Sequence, residues 1–182
     1  MRKNIFTYIA SILLTSSLSV PVFAAVQLPA LDKSPADIST FRTKTNDTIA
    51  KVIYGRPQVN QRKIFGDVVQ YGKLWRTGAN EATEVTFYKD VKVNETKITA
   101  GTYTLFTIPN QNQWTVILNK KLNQWGASTY DQTQDLLRFT VAPQTKNETV
   151  EAFTIAFEEG KRKQVDMVLA WENTLVTIPI QY

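Results

Sequence analysis

Apolar side chains in this sequence recur at every second residue, in runs of about four to eight residues closed by Gly, Pro, Asn or Asp, and no period of 3.6 is sustained anywhere. A chain patterned in this way lays down strands rather than helices. Thr48, Ala50, Val52 and Tyr54 alternate with Ile49, Lys51 and Ile53. Further on, Val85 and Phe87 alternate with Glu84, Thr86 and Tyr88, and both runs are rich in the β-branched and aromatic residues that suit a half-buried pleated surface.

The rest of the chain repeats the pattern. Residues 97–109 lead into a strand rich in Thr, Tyr and Phe, answered by residues 114–118 across the polar tip Asn110-Gln111-Asn112-Gln113, which makes a hairpin. Leu137, Phe139 and Val141 form another strand ending at Pro143. Phe153, Ile155 and Phe157 pair with Val165, Met167, Leu169 and Trp171 across the Gly160 turn, and residues 175–180 supply a last run. Short strands with turn signals every 8 to 12 residues or so predict an all-β fold, an antiparallel β-sandwich or a partly closed barrel. Helix is confined to one or two short turns, over residues 119–125 with Gly126 as a stop and over residues 133–137.

The N-terminus follows the export pattern. Arg2 and Lys3 precede a mostly apolar stretch over residues 5–20, and Val22-Phe23-Ala24 offers small residues for cleavage, so residues 1–24 read as a signal peptide. The apolar run carries hydroxyls and meets Pro21, whereas a spanning helix needs about 20 predominantly apolar residues, so no membrane span is expected after cleavage. Residues 25–40 hold two prolines and no period and read as an extended leader. Residues 41–182 then make a single β-domain, large enough to bury a core without metal or disulfide. An exported chain with no cysteine fits the periplasm or secretion better than a small disulfide scaffold.

Charge and composition narrow the chemistry. The formal net charge of +5 includes Arg2 and Lys3, and the densest basic run, Lys161-Arg162-Lys163, is flanked by Glu158, Glu159 and Asp166, which argues against nucleic acid as a partner. With no histidine and no cysteine, the commonest general base, the Ser-His relay and the thiolate nucleophile are absent, and zinc loses its favoured ligands. Asp131, Thr133 and Asp135 offer oxygens at alternate positions, but Leu136 and Ala142 stand where a calcium loop wants glycine and glutamate. No metal and no cofactor is expected, and no residue is assigned as catalytic.

One segment departs from the strand pattern. Residues 54–83 hold Arg56, Arg62 and Arg76 with Trp75, Tyr71 and the pair Asn80-Glu81, and a long irregular insert on a strand scaffold is where binding residues concentrate. Guanidinium forks grip carboxylate, sulfate or phosphate at two points, and Trp75, Tyr71, Trp125 and Tyr130 offer flat faces to a sugar ring or an aliphatic chain. The candidate ligand-binding set is Arg56, Arg62, Tyr71, Trp75, Arg76, Asn80 and Glu81, for a small polar, anionic or glycan-like ligand or a partner surface. A structural role fits the same residues, with the arginines tied to acids such as Asp67 and Glu81 and Trp75 plugging the core. A hydrolase using Glu81 needs a second acid about 5 to 9.5 Å away, with Asp67, Glu84, Asp131 and Asp135 as candidates. A purely structural envelope protein is the third reading.

Five blocks carry a family resemblance: RKIFG (62–66), YGKLWRTGANEAT (71–83), AGTYTLFTIP (100–109), NQWGA (123–127) and LAWENT (169–174). In this order they closely resemble a family of secreted bacterial proteins known as domain of unknown function 2911, over about residues 34–182. The resemblance implies an exported single domain of mostly β structure. It brings no activity, cofactor or catalytic residue with it.

Overall fold

The fold is seen in a computed structural model that describes residues 26–182; the signal peptide expected over residues 1–24 lies outside the described residues. The unit Leu31–Tyr182 contains ten strands: β1 (Ala36–Arg42), β2 (Thr48–Gly55), β3 (Glu84–Phe87), β4 (Val91–Val93), β5 (Thr96–Ile98), β6 (Gly101–Ile108), β7 (Trp114–Asn119), β8 (Asp135–Val141), β9 (Gln144–Glu159) and β10 (Gln164–Gln181). They form a six-stranded sheet in the order β1-β2-β3-β6-β7-β8 and a four-stranded sheet in the order β5-β4-β10-β9. Every pairing is antiparallel, and the sheets form a sandwich rather than a closed barrel. Among the described residues no helix is long and apolar enough to cross a membrane.

The alternation read from the sequence decides which face is buried. On β2 and β3, Ala50, Val52, Val85 and Phe87 are buried, paired as Ala50 with Phe87 and Val52 with Val85, while Ile53 and Glu84 pair on the outer face. Opposite them, Val165, Met167, Leu169, Val176, Ile178 and Ile180 supply the inner face of β10. β10 joins two runs that read separately in the sequence. Register shifts around Glu172, whose φ is 52°, absorb the polar Glu172-Asn173-Thr174 break as a bulge, so the strand pairs with β9 first and reaches β4 at Ile180.

Local expectations differ from the structure in three places. Residues 36–40, read as the end of a leader, open β1 and pair with β2 from Ala36 opposite Gly55. Of the two short helical turns, one is present as a single 3-10 turn over Gln132–Gln134, capped by Asp131, whereas residues 120–125 are irregular and residues 135–137 belong to β8. Pairing of Leu118 with Leu137 outweighs the local helix signal there. The β4–β5 hairpin had no counterpart in the sequence reading; its strands have three residues each, and Asn94 and Glu95 turn with φ of 44° and 65°.

The insert over residues 56–83 joins the two sheets. Its first part lies along β9, where Val59 N–H donates to the Glu151 carbonyl at 2.8 Å and Phe153 N–H to the Pro57 carbonyl at 2.8 Å. Its second part reaches β6, where Trp75 and Thr107 exchange backbone hydrogen bonds of 2.7 and 3.0 Å. Between these anchors Val59, Ile64, Phe65, Val69 and Trp75 enter the main core. Trp75 stacks on Trp171 at 5.8 Å and 18°, and Phe65, Trp114 and Phe153 pack around the pair edge-on. Such aromatic pairs add about 0.5 to 1.5 kcal/mol each beyond the area they bury.

A second, smaller core lies on the outer face of the six-stranded sheet. Ala82, Phe106 and Ile117 are buried there beneath Leu74, Ala127 and Tyr130. The middle of that sheet is therefore covered on both faces. Its β1–β3 side is left barer, with Ile38 59% and Ile53 42% exposed.

Candidate functional site

The three arginines of the insert do not converge. Arg56 ties the edges of the two sheets together: Nη1 donates to Asp37 of β1 at 3.0 Å, Nε to the Phe153 carbonyl of β9 at 3.1 Å and Nη2 to Thr154 Oγ1 at 2.9 Å. Arg62 folds back on its own segment, donating from Nε to the Val59 carbonyl at 3.0 Å and from Nη2 to the Gln58 carbonyl at 2.6 Å. Among the described residues the Arg76 side chain makes one hydrogen bond, from Nη1 to the Asn80 carbonyl at 2.9 Å. Trp75 stands in the core, with its indole N–H on the Gly78 carbonyl at 3.1 Å. Tyr71 is 37% exposed and lines a small pocket of about 150 Å³ with Phe65, Asn110, Trp114 and Gln144. Of the seven sequence-selected residues, Arg76, Asn80 and Glu81 stay together.

Their segment is held under strain. Thr77 is fully buried with φ at 55°, a left-handed backbone that costs a β-branched residue of order 1 to 3 kcal/mol. Its surroundings over-determine it: Thr77 Oγ1 meets Thr107 Oγ1 at 3.0 Å, and Thr83 Oγ1 donates to the Thr77 carbonyl at 2.6 Å. A close backbone approach locks the turn from the other side. A Cβ on Gly55 would lie 2.8 Å from the Ala79 carbonyl carbon, and one on Gly78 would lie 2.9 Å from the Gly55 carbonyl oxygen. Asn80, with φ at 60°, then donates from Nδ2 to Asp32 at 3.1 Å.

This turn presents Glu81 to a second segment, the β7–β8 connection. Ala82 N–H donates to the Gln124 carbonyl at 2.8 Å and Gly126 N–H to the Asn80 carbonyl at 3.0 Å, so Glu81 and Trp125 stand opposite one another in an antiparallel bridge. Opposed side chains in such a bridge share a face, with Cβ atoms about 4.5 to 5.5 Å apart. Both are exposed, Trp125 by 65%. Glu81 also lines a cleft of about 290 Å³, at the step between the covered and barer parts of the outer sheet face, with Ile53, Gly55, Glu84, Asn123 and Gln124 among its walls. Glu84 accepts from the Asn123 backbone N–H at 2.7 Å, which pins its carboxylate to the rim.

A polar network anchors the connection that carries Trp125. Buried Asn119 donates from Nδ2 to Asp135 at 2.8 Å and to the Asp131 carbonyl at 2.9 Å. Tyr130 donates to Asp135 at 2.7 Å, and Arg138 donates to both Tyr130 and Asp135. Burial, followed by the hydrogen bond to the Asp135 carboxylate, pushes the Tyr130 phenol up to about 12. At the other end of the connection, Gln124 is buried and closes the loop on itself through the Lys121 carbonyl and Thr129.

Chemically, the cleft offers two carboxylates, one of them already holding the Asn123 N–H, and a broad indole face beside Glu81. No lysine or arginine lines it. Glu84 was one of four candidate acids for Glu81 and is the one of them that shares its cleft, whereas Trp125 was visible as a flat face that nothing marked as a neighbour of Glu81. Asn123 carried one usable signal, an asparagine within the NQWGA block; its φ is 55°.

No curated protein and no solved structure matches the chain. The model of the family described as protein of unknown function (DUF2911) matches residues 34–180, and the chain belongs to that family.

Proposed function

We propose that the protein is an exported binding domain whose ligand is hydroxyl-rich and glycan-like, held at the cleft between Glu81, Glu84 and Asn123 with Trp125 as its stacking face. The single observation that carries this reading is the bridge that sets an exposed tryptophan directly beside an exposed carboxylate. A sugar presents an apolar C–H face and a ring of hydroxyl donors. The indole complements the first, and carboxylates, which are acceptors only when ionised, complement the second. Strain stored in the turn that presents Glu81 supports the same reading, since backbone held in sparsely populated regions clusters at ligand clamps.

The test is a titration of the mature chain with a panel of neutral oligosaccharides, followed by tryptophan fluorescence and thermal shift. Trp125→Ala and Glu81→Gln are expected to abolish or weaken binding at least tenfold, with melting points close to the parent's because both side chains are exposed. A panel that produces no shift in the parent, or a Trp125→Ala protein that binds as the parent does, overturns the reading.

A second reading rests on the fact that Glu81 and Glu84 line one cleft. A glycosidase works with two such carboxylates, one donating a proton and the other acting as nucleophile or base. Under this reading the bound glycan is cleaved and Glu81→Gln retains binding while losing turnover. Release of reducing ends by the parent at the same rate as by Glu81→Gln removes it.

A further inference from the structure

Arg76 differs from the other two arginines of the insert in what it leaves unused. Its Nη1 is fixed on the Asn80 carbonyl at 2.9 Å, while among the described residues Nε and Nη2 have no hydrogen-bond partner. The guanidinium is pressed against Gly126, where a Cβ would lie 3.4 Å from Nη1 and where φ is 70°, so a glycine both clears the group and permits the turn. A guanidinium held in this way loses little further freedom when it grips a ligand.

Beside it opens a cleft of about 260 Å³, separate from the one that Glu81 lines. Its walls bring Lys73 next to Arg76, and no aspartate or glutamate is among them. The remaining walls mix aliphatic side chains, from Val68, Val69, Leu74 and Ala127, with Gln70 and Trp75. Two cations without a counter-charge in a cleft that also presents aliphatic side chains match a ligand with an oxyanion head on a short hydrocarbon stem.

We infer that the Arg76–Lys73 cleft is a second binding site, which takes a small organic oxyanion with a short apolar stem. The two free donors of Arg76 form a two-point contact with the head, Lys73 adds charge, and Leu74 with Val68 covers the stem. This site does not depend on the glycan reading, because none of Glu81, Glu84 and Trp125 lines it.

The experiment is a two-dimensional NMR titration of the mature chain with acetate, butyrate, hexanoate, inorganic phosphate and, as an uncharged control, butyramide, each at matched ionic strength. Butyrate and hexanoate are expected to shift the Arg76 Nε–H resonance and the amides of residues 73–76 saturably, more tightly than acetate. Butyramide is expected to leave them in place. Arg76→Gln abolishes the effect, and Lys73→Ala weakens binding about fivefold, the size of one exposed charge contact. Because Arg76 also supports the Asn80 turn, Lys73→Ala decides the matter if Arg76→Gln does not fold. Absence of saturable shifts with every probe, equal binding of butyramide, or a Lys73→Ala protein with the parent's affinity overturns the site; phosphate binding without hexanoate binding overturns the apolar stem.

Discussion

Gly55→Ala tests how the candidate site is built. The added methyl would lie 2.8 Å from the Ala79 carbonyl carbon and 3.1 Å from the Ala79 nitrogen, with the carbonyl oxygen nearer still. Comfortable separations between carbon atoms are about 3.5 to 4.0 Å, so the two backbones must part by roughly an ångström. Neither can yield easily. Gly55 is paired with Ala36 at the end of β2, and the turn carrying Ala79 is tied down through Thr77, Thr83 and Asn80. Overpacking costs about 1 to 3 kcal/mol, and a clash between two pieces of backbone belongs at the upper end. For a domain of about 150 to 250 residues, about 3 kcal/mol lowers the melting point by about 6 to 12 °C. Thermal unfolding followed by circular dichroism measures it. Gly160→Ala, before the β9–β10 turn, is the control, since its nearest contact would be 3.3 Å, to the Gln164 carbonyl oxygen at the start of β10. The substitution also moves Glu81, so the remaining folded protein is expected to bind glycan more weakly. A Gly55→Ala protein that melts within about 2 °C of the parent refutes the close approach and the locked turn.

Two further outcomes follow from the polar contacts. Burial and the Asp135 hydrogen bond push Tyr130 up to about 12 from an ordinary 10.0, so its contribution is complete below pH 10 and is lost as pH rises toward 12; in an ultraviolet titration Tyr130→Phe is expected to remove a late-ionising tyrosine while Tyr54, which burial also raises, remains, with the parent's melting advantage over that variant shrinking in the same window. Arg56→Met removes three hydrogen bonds between the sheet edges, and because the side chain is 38% exposed the expected loss is about 1 to 2 kcal/mol in urea unfolding, while Asp37→Asn, which removes the charge and the exposed acceptor of the Ile38 N–H but leaves one oxygen for Arg56 and Tyr54, costs less than about 1 kcal/mol.

Strands and their inward faces were legible because burial in a sandwich has a period the eye can follow, as in Val52, Tyr54, Val85 and Phe87. β4 and β5 escaped because three residues cannot show a period, and β10 read as two runs because a bulge at Glu172 interrupts its alternation without interrupting the strand. The site was half legible. Arg76, Asn80 and Glu81 stand out within one segment and Glu84 follows three residues later, but Trp125 reaches Glu81 through a loop bridge that no local pattern encodes. The arginines show the limit most plainly. Arg62 spends both of its bonds on backbone carbonyls and Arg56 one of its three, and a carbonyl belongs to every residue, so sequence offers no partner to find there; the other two Arg56 partners, Asp37 and Thr154, are brought to it by strand packing across long sequence separations.

The long insert looks like the soft spot of the chain, yet it is sewn into β9 at one end and β6 at the other and carries Trp75 between them. The two layers cannot slide apart without first extracting that indole from its stack on Trp171. A protease searching for slack backbone would find the longest stretch without regular structure among the last to yield.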